Sequence, residues 1–122
     1  MGVIEGGRTV LIVDDEPSIR LLCRVNLELE GYRVLEAEGL GEAREVLRGD
    51  VVDMLLVDLH LADGNGRELV DELRRAGNGP RIALLTGTVD LSAVDRAGVD
   101  AVLEKPFRLE QLRETVQKLE AG

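Results

Sequence analysis

Four places in the chain carry residue types suited to phosphoryl chemistry. Asp14-Asp15 follows the apolar run Thr9–Val13, Asp58 ends the run 51–57, Thr86 closes 81–85, and Lys105 follows 100–104. Carboxylates held together repel, and each resists ionisation unless a cation neutralises them. Oxygen donors of this kind suit Mg²⁺, which keeps several waters and uses one or two protein carboxylates together with phosphate oxygens. An Asp beside such an ion can attack a phosphoryl group and form an acyl phosphate. Lys105 would then meet the charge that develops on the transferred group, and Thr86 would donate its hydroxyl to a phosphoryl oxygen.

This chemistry requires the four places to converge, and the hydrophobic pattern says how they do. Thr9–Val13, 33–37, 51–58, 81–86 and 100–104 are short apolar or β-branched runs closed by turn-formers, which predicts strands, the central ones covered on both faces. Between them lie amphipathic stretches. Pro17 fits the first turn of a helix running to about Glu30, with Gly31 as its stop. Leu40, Ala43, Val46 and Leu47 mark a second helix ending at Gly49; Leu69, Val70 and Leu73 a third, stopped before Gly77-Asn78-Gly79-Pro80. A short fourth helix is predicted over 91–97 and a final one on Leu109, Leu112, Val116 and Leu119. Strands alternating with helices in this way predict an α/β, doubly wound parallel sheet. All strand carboxyl ends of such a sheet lie on one edge, where open α/β folds place their ligands, so Asp14-Asp15, Asp58, Thr86 and Lys105 can meet there.

Each of these residues has a plain structural role when taken alone. Acids before a helix are ordinary partners of its dipole, an Asp after a strand is a common turn residue, and a Thr there is a common N-cap. Lys105-Pro106 would be a surface turn. Their joint order at four strand ends is what points to a site.

At 122 residues the chain is long enough for one ordinary core, predicted over 8–120, with a glycine-rich leader at 1–7 and a tail at 121–122. A net charge of −9 disfavours direct binding to nucleic acid or to anionic membrane. The single Cys23 excludes an intrachain disulfide and fits a reducing, cytoplasmic setting. No stretch is long and apolar enough for a membrane span, and no secretory signal is visible.

The first helix carries more apolar surface than a one-sided helix needs. Ile19, Leu22, Cys23 and Leu27 form a core stripe, and Leu21, Val25 and Leu29 a second row about a third of a turn away. Either that helix is unusually buried or the second row meets a partner.

The segments LIVDDEP, VVDMLLVDLHLADGNG, ALLTG and LEKPF resemble the receiver domain of bacterial two-component response regulators, over nearly the whole chain. The resemblance implies a flavodoxin-like fold of five parallel strands in the order 2-1-3-4-5, with helices on both faces. It implies that Asp58 is the phosphoacceptor, charged from a phosphohistidine of a histidine kinase or histidine phosphotransfer protein. Asp15 would bind Mg²⁺ directly, Asp14 largely through water, and the backbone carbonyl of His60 would be the third protein ligand beside Asp58. Thr86 would be the switch hydroxyl, Lys105 the phosphate-pairing lysine, and the Lys105-Pro106 peptide cis. The partner would dock beside the first helix and Phe107, near Ile19 and Leu22; Leu21, Val25 and Leu29 would extend that surface or support a homodimer.

Two departures from the family pattern fall on the usual output face. Val102 stands where the family has a switch aromatic, and the stretch from Thr86 to Lys105 is about three residues short, so the fourth helix is expected to be truncated or remodelled. Ala62 replaces a usual proline. The reading is of a signalling domain, stand-alone or excised from a longer protein, with self-phosphorylation and self-dephosphorylation but no other enzymatic activity. The alternatives are a small Mg²⁺-dependent phosphatase with an aspartyl nucleophile and His60 as its acid, and a degenerate receiver used as a scaffold.

Overall fold

A computed structural model describes residues 8–77, 79–87 and 91–121. The leader at 1–7 and Gly122 lie outside the described residues. In chain order the elements are β1 (Thr9–Val13), α1 (Pro17–Leu29), β2 (Arg33–Ala37), α2 (Leu40–Gly49), β3 (Met54–Asp58), β4 (His60–Leu61), β5 (Gly64–Asn65), α3 (Gly66–Ala76), β6 (Arg81–Thr86), a 3₁₀ turn (Leu91–Ala93), β7 (Ala101–Glu104) and α4 (Leu109–Ala121). Five strands form one parallel sheet in the order β2-β1-β3-β6-β7, while β4 and β5 make a separate small hairpin. Counting only the strands of the main sheet, this is the expected 2-1-3-4-5.

Alternation along the strands divides the interior in two. Val10 and Ile12, Met54 and Leu56, Ala83 and Leu85, Ala101 and Leu103 face Cys23 and Leu27 of α1 and Leu112, Val116 and Leu119 of α4. Leu11 and Val13, Leu55 and Val57, Ile82 and Leu84 face Leu40 and Ala43 of α2 and Leu69 and Val70 of α3. Every residue of β1 and β3 is buried, whereas the edge strand β2 has exposed and half-buried positions. Burial pushes the Cys23 thiol up to about 12, so it packs as an apolar side chain.

The register is set at the amino-terminal edge of the sheet by two similar rings. The Asp53 N–H donates to the Thr9 carbonyl (2.9 Å), and its carboxylate accepts the Thr9 N–H (2.8 Å). The Asp100 N–H donates to the Ile82 carbonyl (2.8 Å), and its carboxylate accepts the Ile82 N–H (2.8 Å). Each Asp immediately precedes its strand and supplies a partner for a backbone group that the ladder itself leaves without one.

Three expectations from the sequence need correction. The run 51–58 becomes a strand only from Met54: Val51 is 82% exposed, and Asp53 is taken up by its ring with Thr9. Ala121, assigned to a tail, belongs to α4. The predicted fourth helix over 91–97 is a 3₁₀ turn of three residues, followed by a non-helical strap, so among the described residues the expected five helices become four. The strap is held by two arginines of α3. Arg67 donates to the carbonyls of Asp95 (2.9 Å) and Ala97, and Arg74 to that of Gly98 (2.6 Å) and to the Asp100 carboxylate (3.0 Å). Guanidinium groups thus satisfy the strap's carbonyls, and Gly98, at φ 75°, turns the chain into β7.

Replacing Asp53 or Asp100 by Ala leaves one strand N–H without its acceptor. Each change should lower unfolding free energy by about 1–3 kcal/mol in urea denaturation, whereas Val51→Ala at the neighbouring exposed position should change it little.

Candidate functional site

The parity of the strands delivers the site. Asp14, just past β1, continues the alternation of Val10 and Ile12, and Asp58 that of Met54 and Leu56. Lys105, just past β7, continues that of Ala101 and Leu103. All three therefore lie at the carboxyl edge on the α1/α4 side. The Lys105 Nζ is 2.9 Å from Asp58 Oδ2, 2.8 Å from Asp14 Oδ2 and 3.1 Å from Glu16 Oε1.

Each group is held by the backbone around it. Asp14 is fully buried; its N–H donates to the Ala37 carbonyl of β2 (3.1 Å), and its own carbonyl accepts from Arg20 of α1 (2.7 Å). Asp58 Oδ1 accepts the His60 N–H at 3.0 Å, which sets the His60 backbone beside the carboxylate while the imidazole is exposed. The Leu59 N–H donates to the Leu85 carbonyl (2.9 Å), and the Gly66 N–H to the Leu59 carbonyl (2.8 Å). Gly66 opens α3 so close to β3 that a Cβ there would come 2.2 Å from the Asp58 carbonyl oxygen, so only glycine fits. Thr86 is buried at the end of β6, level with Glu104, and its carbonyl accepts the Lys105 N–H at 2.7 Å. The Lys105-Pro106 peptide is cis, as expected.

Burial pushes the Asp14 carboxyl above its usual range; Lys105 and the Glu16 N–H pull it down, and the Asp58 charge adds to the rise. Burial of the Lys105 ammonium works toward its neutral form, but contact with Asp14 and Asp58 outweighs this and holds its pKa above the usual lysine range. Oxygens of Asp14, Glu16 and Asp58 lie within 4.8 Å of one another. Three carboxylates against one ammonium leave an excess of two negative charges. Asp14 Oδ2 is buried and, despite its contact with Lys105, accepts no aligned hydrogen bond. An all-oxygen donor set with this excess fits a hard divalent cation.

Not every residue singled out in the sequence joins this cluster. Asp15 is exposed, and its carboxylate lies outside the group formed by Asp14, Glu16 and Asp58. On α1, Leu21 (60%), Val25 (47%) and Leu29 (79%) are exposed, so the second row faces outward; Leu22 is half-buried, and Ile19 and Phe107 pack partly into the α1/α4 core. Sequence reasoning missed Glu16, Arg20 and Asp63. The Asp63 carboxylate, in the hairpin after Asp58, caps α2 by accepting from Leu40 N (2.9 Å) and Gly41 N (3.1 Å), and those bonds lower its pKa. Glu16 was signalled by its place beside the Asp pair; nothing local signals Arg20 or Asp63.

A buried carboxyl with a raised pKa binds its proton more tightly in the folded than in the unfolded state. Its charge is therefore a cost above the folded pKa that is relieved as pH falls from there toward the unfolded value near 3.8. Asp14→Asn should raise the melting temperature at neutral pH without added divalent cation by a few degrees, the shift expected of roughly 1 kcal/mol in a domain of this size. The gain should shrink as the medium is acidified; a lower melting temperature would show that the Lys105 contact outweighs burial.

Comparisons with known proteins identify the chain's family. Residues 10–117 match the family described as the response regulator receiver domain. The chain is 38% identical over 107 residues to the KDP operon transcriptional regulatory protein KdpE of Escherichia coli K12, covering 85% of this chain and 47% of that one. It is 35% identical over 120 residues to the phosphate regulon regulator PhoB of Pseudomonas aeruginosa, covering 94% and 51%. The chain thus spans about half the length of these two relatives. Among solved structures it resembles a receiver domain protein of Methanospirillum hungatei (TM-score 0.85, 31% identity, 94% of this chain and 95% of that one). It also resembles TrrA of Thermotoga maritima, solved in complex with Mg²⁺-BeF (TM-score 0.82, 32% identity, 92% and 98%). The chain belongs to the response regulator receiver domain family.

Proposed function

We propose that Asp58 accepts a phosphoryl group from a phosphohistidine of a histidine kinase or histidine phosphotransfer protein, in a Mg²⁺-dependent reaction, and that the domain signals through protein contacts. The observation that carries this reading is the Lys105 ammonium held at 2.9 Å from Asp58 Oδ2 and 2.8 Å from Asp14 Oδ2 at one sheet edge.

In the transfer, an Asp58 oxygen attacks phosphorus as the phosphorus–nitrogen bond breaks, and the imidazole nitrogen keeps the electron pair. Lys105 carries the positive charge that the incoming phosphoryl oxygens need, already positioned before they arrive. The His60 N–H on Asp58 Oδ1 fixes the rotation of the carboxylate, so the nucleophile is oriented without reorganisation. Thr86, buried at the end of β6, would offer its hydroxyl to a phosphoryl oxygen. Asp14 and Asp58, with the His60 backbone carbonyl and Asp15 at the exposed rim, would hold Mg²⁺. When bound, that ion neutralises the phosphoryl oxygens and screens the carboxylates from one another. The Mg²⁺-BeF complex of TrrA, 32% identical, supports this choice of metal.

The domain's chemistry is confined to gain and loss of the phosphoryl group on Asp58, in the cytoplasm; no helix among the described residues is long and apolar enough to cross a membrane. The partner docks along α1 near Ile19, Leu22 and Phe107, and the exposed row Leu21, Val25 and Leu29 extends that surface or supports a homodimer. The relay to the output face is atypical. Half-buried Val102, level with Leu84, shares the α2/α3 side of the sheet with Leu84 but has no ring to swing, and the strap held by Arg67 and Arg74 stands in place of a fourth helix.

With Mg²⁺ and acetyl phosphate the protein should gain one base-labile phosphoryl mass, not formed when the metal is chelated before the donor is added and absent in Asp58→Asn. A phosphoryl group retained in Asp58→Asn, or none in the wild type at saturating Mg²⁺, would refute the assignment.

A further inference from the structure

We propose that Asp63 is a positioning residue for the Asp58 site: it anchors on α2 the hairpin whose backbone orients the Asp58 carboxylate. The inference rests on the phosphoryl-accepting reading above and adds to it a residue that lies outside the charged cluster and acts on it through the chain.

The cap of α2 is borrowed. Gly39 holds its N-cap position with extended backbone (φ −164°, ψ −174°) and has no side chain to offer the free N–H groups of the first turn. Asp63 supplies the acceptors from another loop. Its Oδ1 takes the Leu40 N–H at 2.9 Å, 23 residues away, and its Oδ2 takes the Gly41 N–H at 3.1 Å. A Cβ on Gly39 would come 2.7 Å from Asp63 Oδ1, so a local cap and the borrowed one compete for the same space. A Ser, Thr, Asp or Asn at position 39 would cap the helix equally well. Drawing the cap from Asp63 does something a local cap cannot: it ties a second loop to the helix.

That loop is the one leaving the phosphoacceptor. Asp63 lies in the turn between β4 and β5, a hairpin with two residues in each strand, His60 opposite Asn65 and Leu61 opposite Gly64. So short a hairpin does not hold its shape unaided. It is positioned from outside. At its start the His60 N–H donates to Asp58 Oδ1 (3.0 Å), and at its end Asn65 caps α3 by accepting the Arg67 N–H (2.8 Å). Between them, Asp63 and Gly64 fasten the turn to α2. Gly64, at φ 150°, sits so close to the first residue of that helix that a Cβ would come 2.7 Å from Leu40 Cδ1. Cutting the Asp63 tether frees the middle of the hairpin, and the His60 N–H then leaves more readily the carboxylate whose rotation it fixes.

The test moves the carboxylate from the hairpin to the helix. Asp63→Ala removes both the α2 cap and the tether. Gly39→Asp combined with Asp63→Ala restores a local cap at the same net charge, in the space that Asp63 vacates, and leaves the tether cut; Gly39→Ser with Asp63→Ala is a second local cap. Two quantities are compared with wild type in the whole chain: hydrogen exchange of the His60 amide without metal or donor, and the rate of phosphorylation by acetyl phosphate at saturating Mg²⁺. Asp63→Ala should lower the melting temperature, and a local cap should recover it. Capped or not, the variants should exchange the His60 amide roughly three- to tenfold faster than wild type and gain the phosphoryl group roughly tenfold more slowly. The proposal is overturned if a local cap returns either quantity to within about twofold of wild type, since Asp63 then only caps a helix, or if Asp63→Ala alone leaves both unchanged. A wild type that gains no phosphoryl group would sink the phosphoryl-accepting reading instead, and the His60 exchange rates would still decide the tether.

Discussion

One ammonium group holds the functional edge of this protein together. Lys105 Nζ lies within 3.1 Å of oxygens from three carboxylates, two of them on buried residues. Charges taken out of water are tolerable only when paired with good geometry, and without the ammonium two buried carboxylates would face each other unpaired. Asp14 and Asp58 can therefore stand side by side at the end of a hydrophobic sheet because β7 delivers a cation to them. That delivery depends in turn on the backbone bond from the Lys105 N–H to the Thr86 carbonyl and on the registered pairing of β6 with β7.

The rest of the fold keeps that edge aligned. Two layers of aliphatic side chains lock the sheet between α1 and α4 on one side and α2 and α3 on the other, with almost no aromatic residues. At the opposite edge, Asp53 and Asp100 fix where β3 and β7 begin, which decides where they end and so where Asp58 and Lys105 emerge. The hairpin after Asp58 is tied at both ends, through the His60 N–H to the Asp58 carboxylate and through Asp63 to the start of α2. The hairpin thus links Asp58 to α2 and α3, and the two arginines of α3 tie the strap before β7 to that same helix.

Much of this was legible in the sequence because it is periodic. Buried parallel strands read as apolar runs, and the first polar residue after each run lands on the functional edge, which is how Asp58, Thr86 and Lys105 could be named. What remained hidden has no local signature. The Asp63 cap and the Arg67 and Arg74 clamps join side chains to backbone groups 22 to 30 residues away, and the arginines that hold the strap lie on α3, far from it in sequence. Glu16 illustrates the same limit at short range. Its type and place were plain, but that its side chain leaves the helix for Lys105 follows from a tertiary contact, as does the exposed position of Asp15.

In the proposed function Asp58 is the point at which the molecule senses a phosphoryl group, with Lys105 as the first residue to respond. Amide NMR with Mg²⁺ and beryllofluoride, a stable stand-in for the phosphoryl group, tests this most directly. Saturable shifts centred on residues 58–60 and 104–106, requiring both Mg²⁺ and beryllofluoride and absent in Asp58→Asn, are the predicted result. An unchanged spectrum at saturating concentrations, or the same shifts in Asp58→Asn, would contradict it.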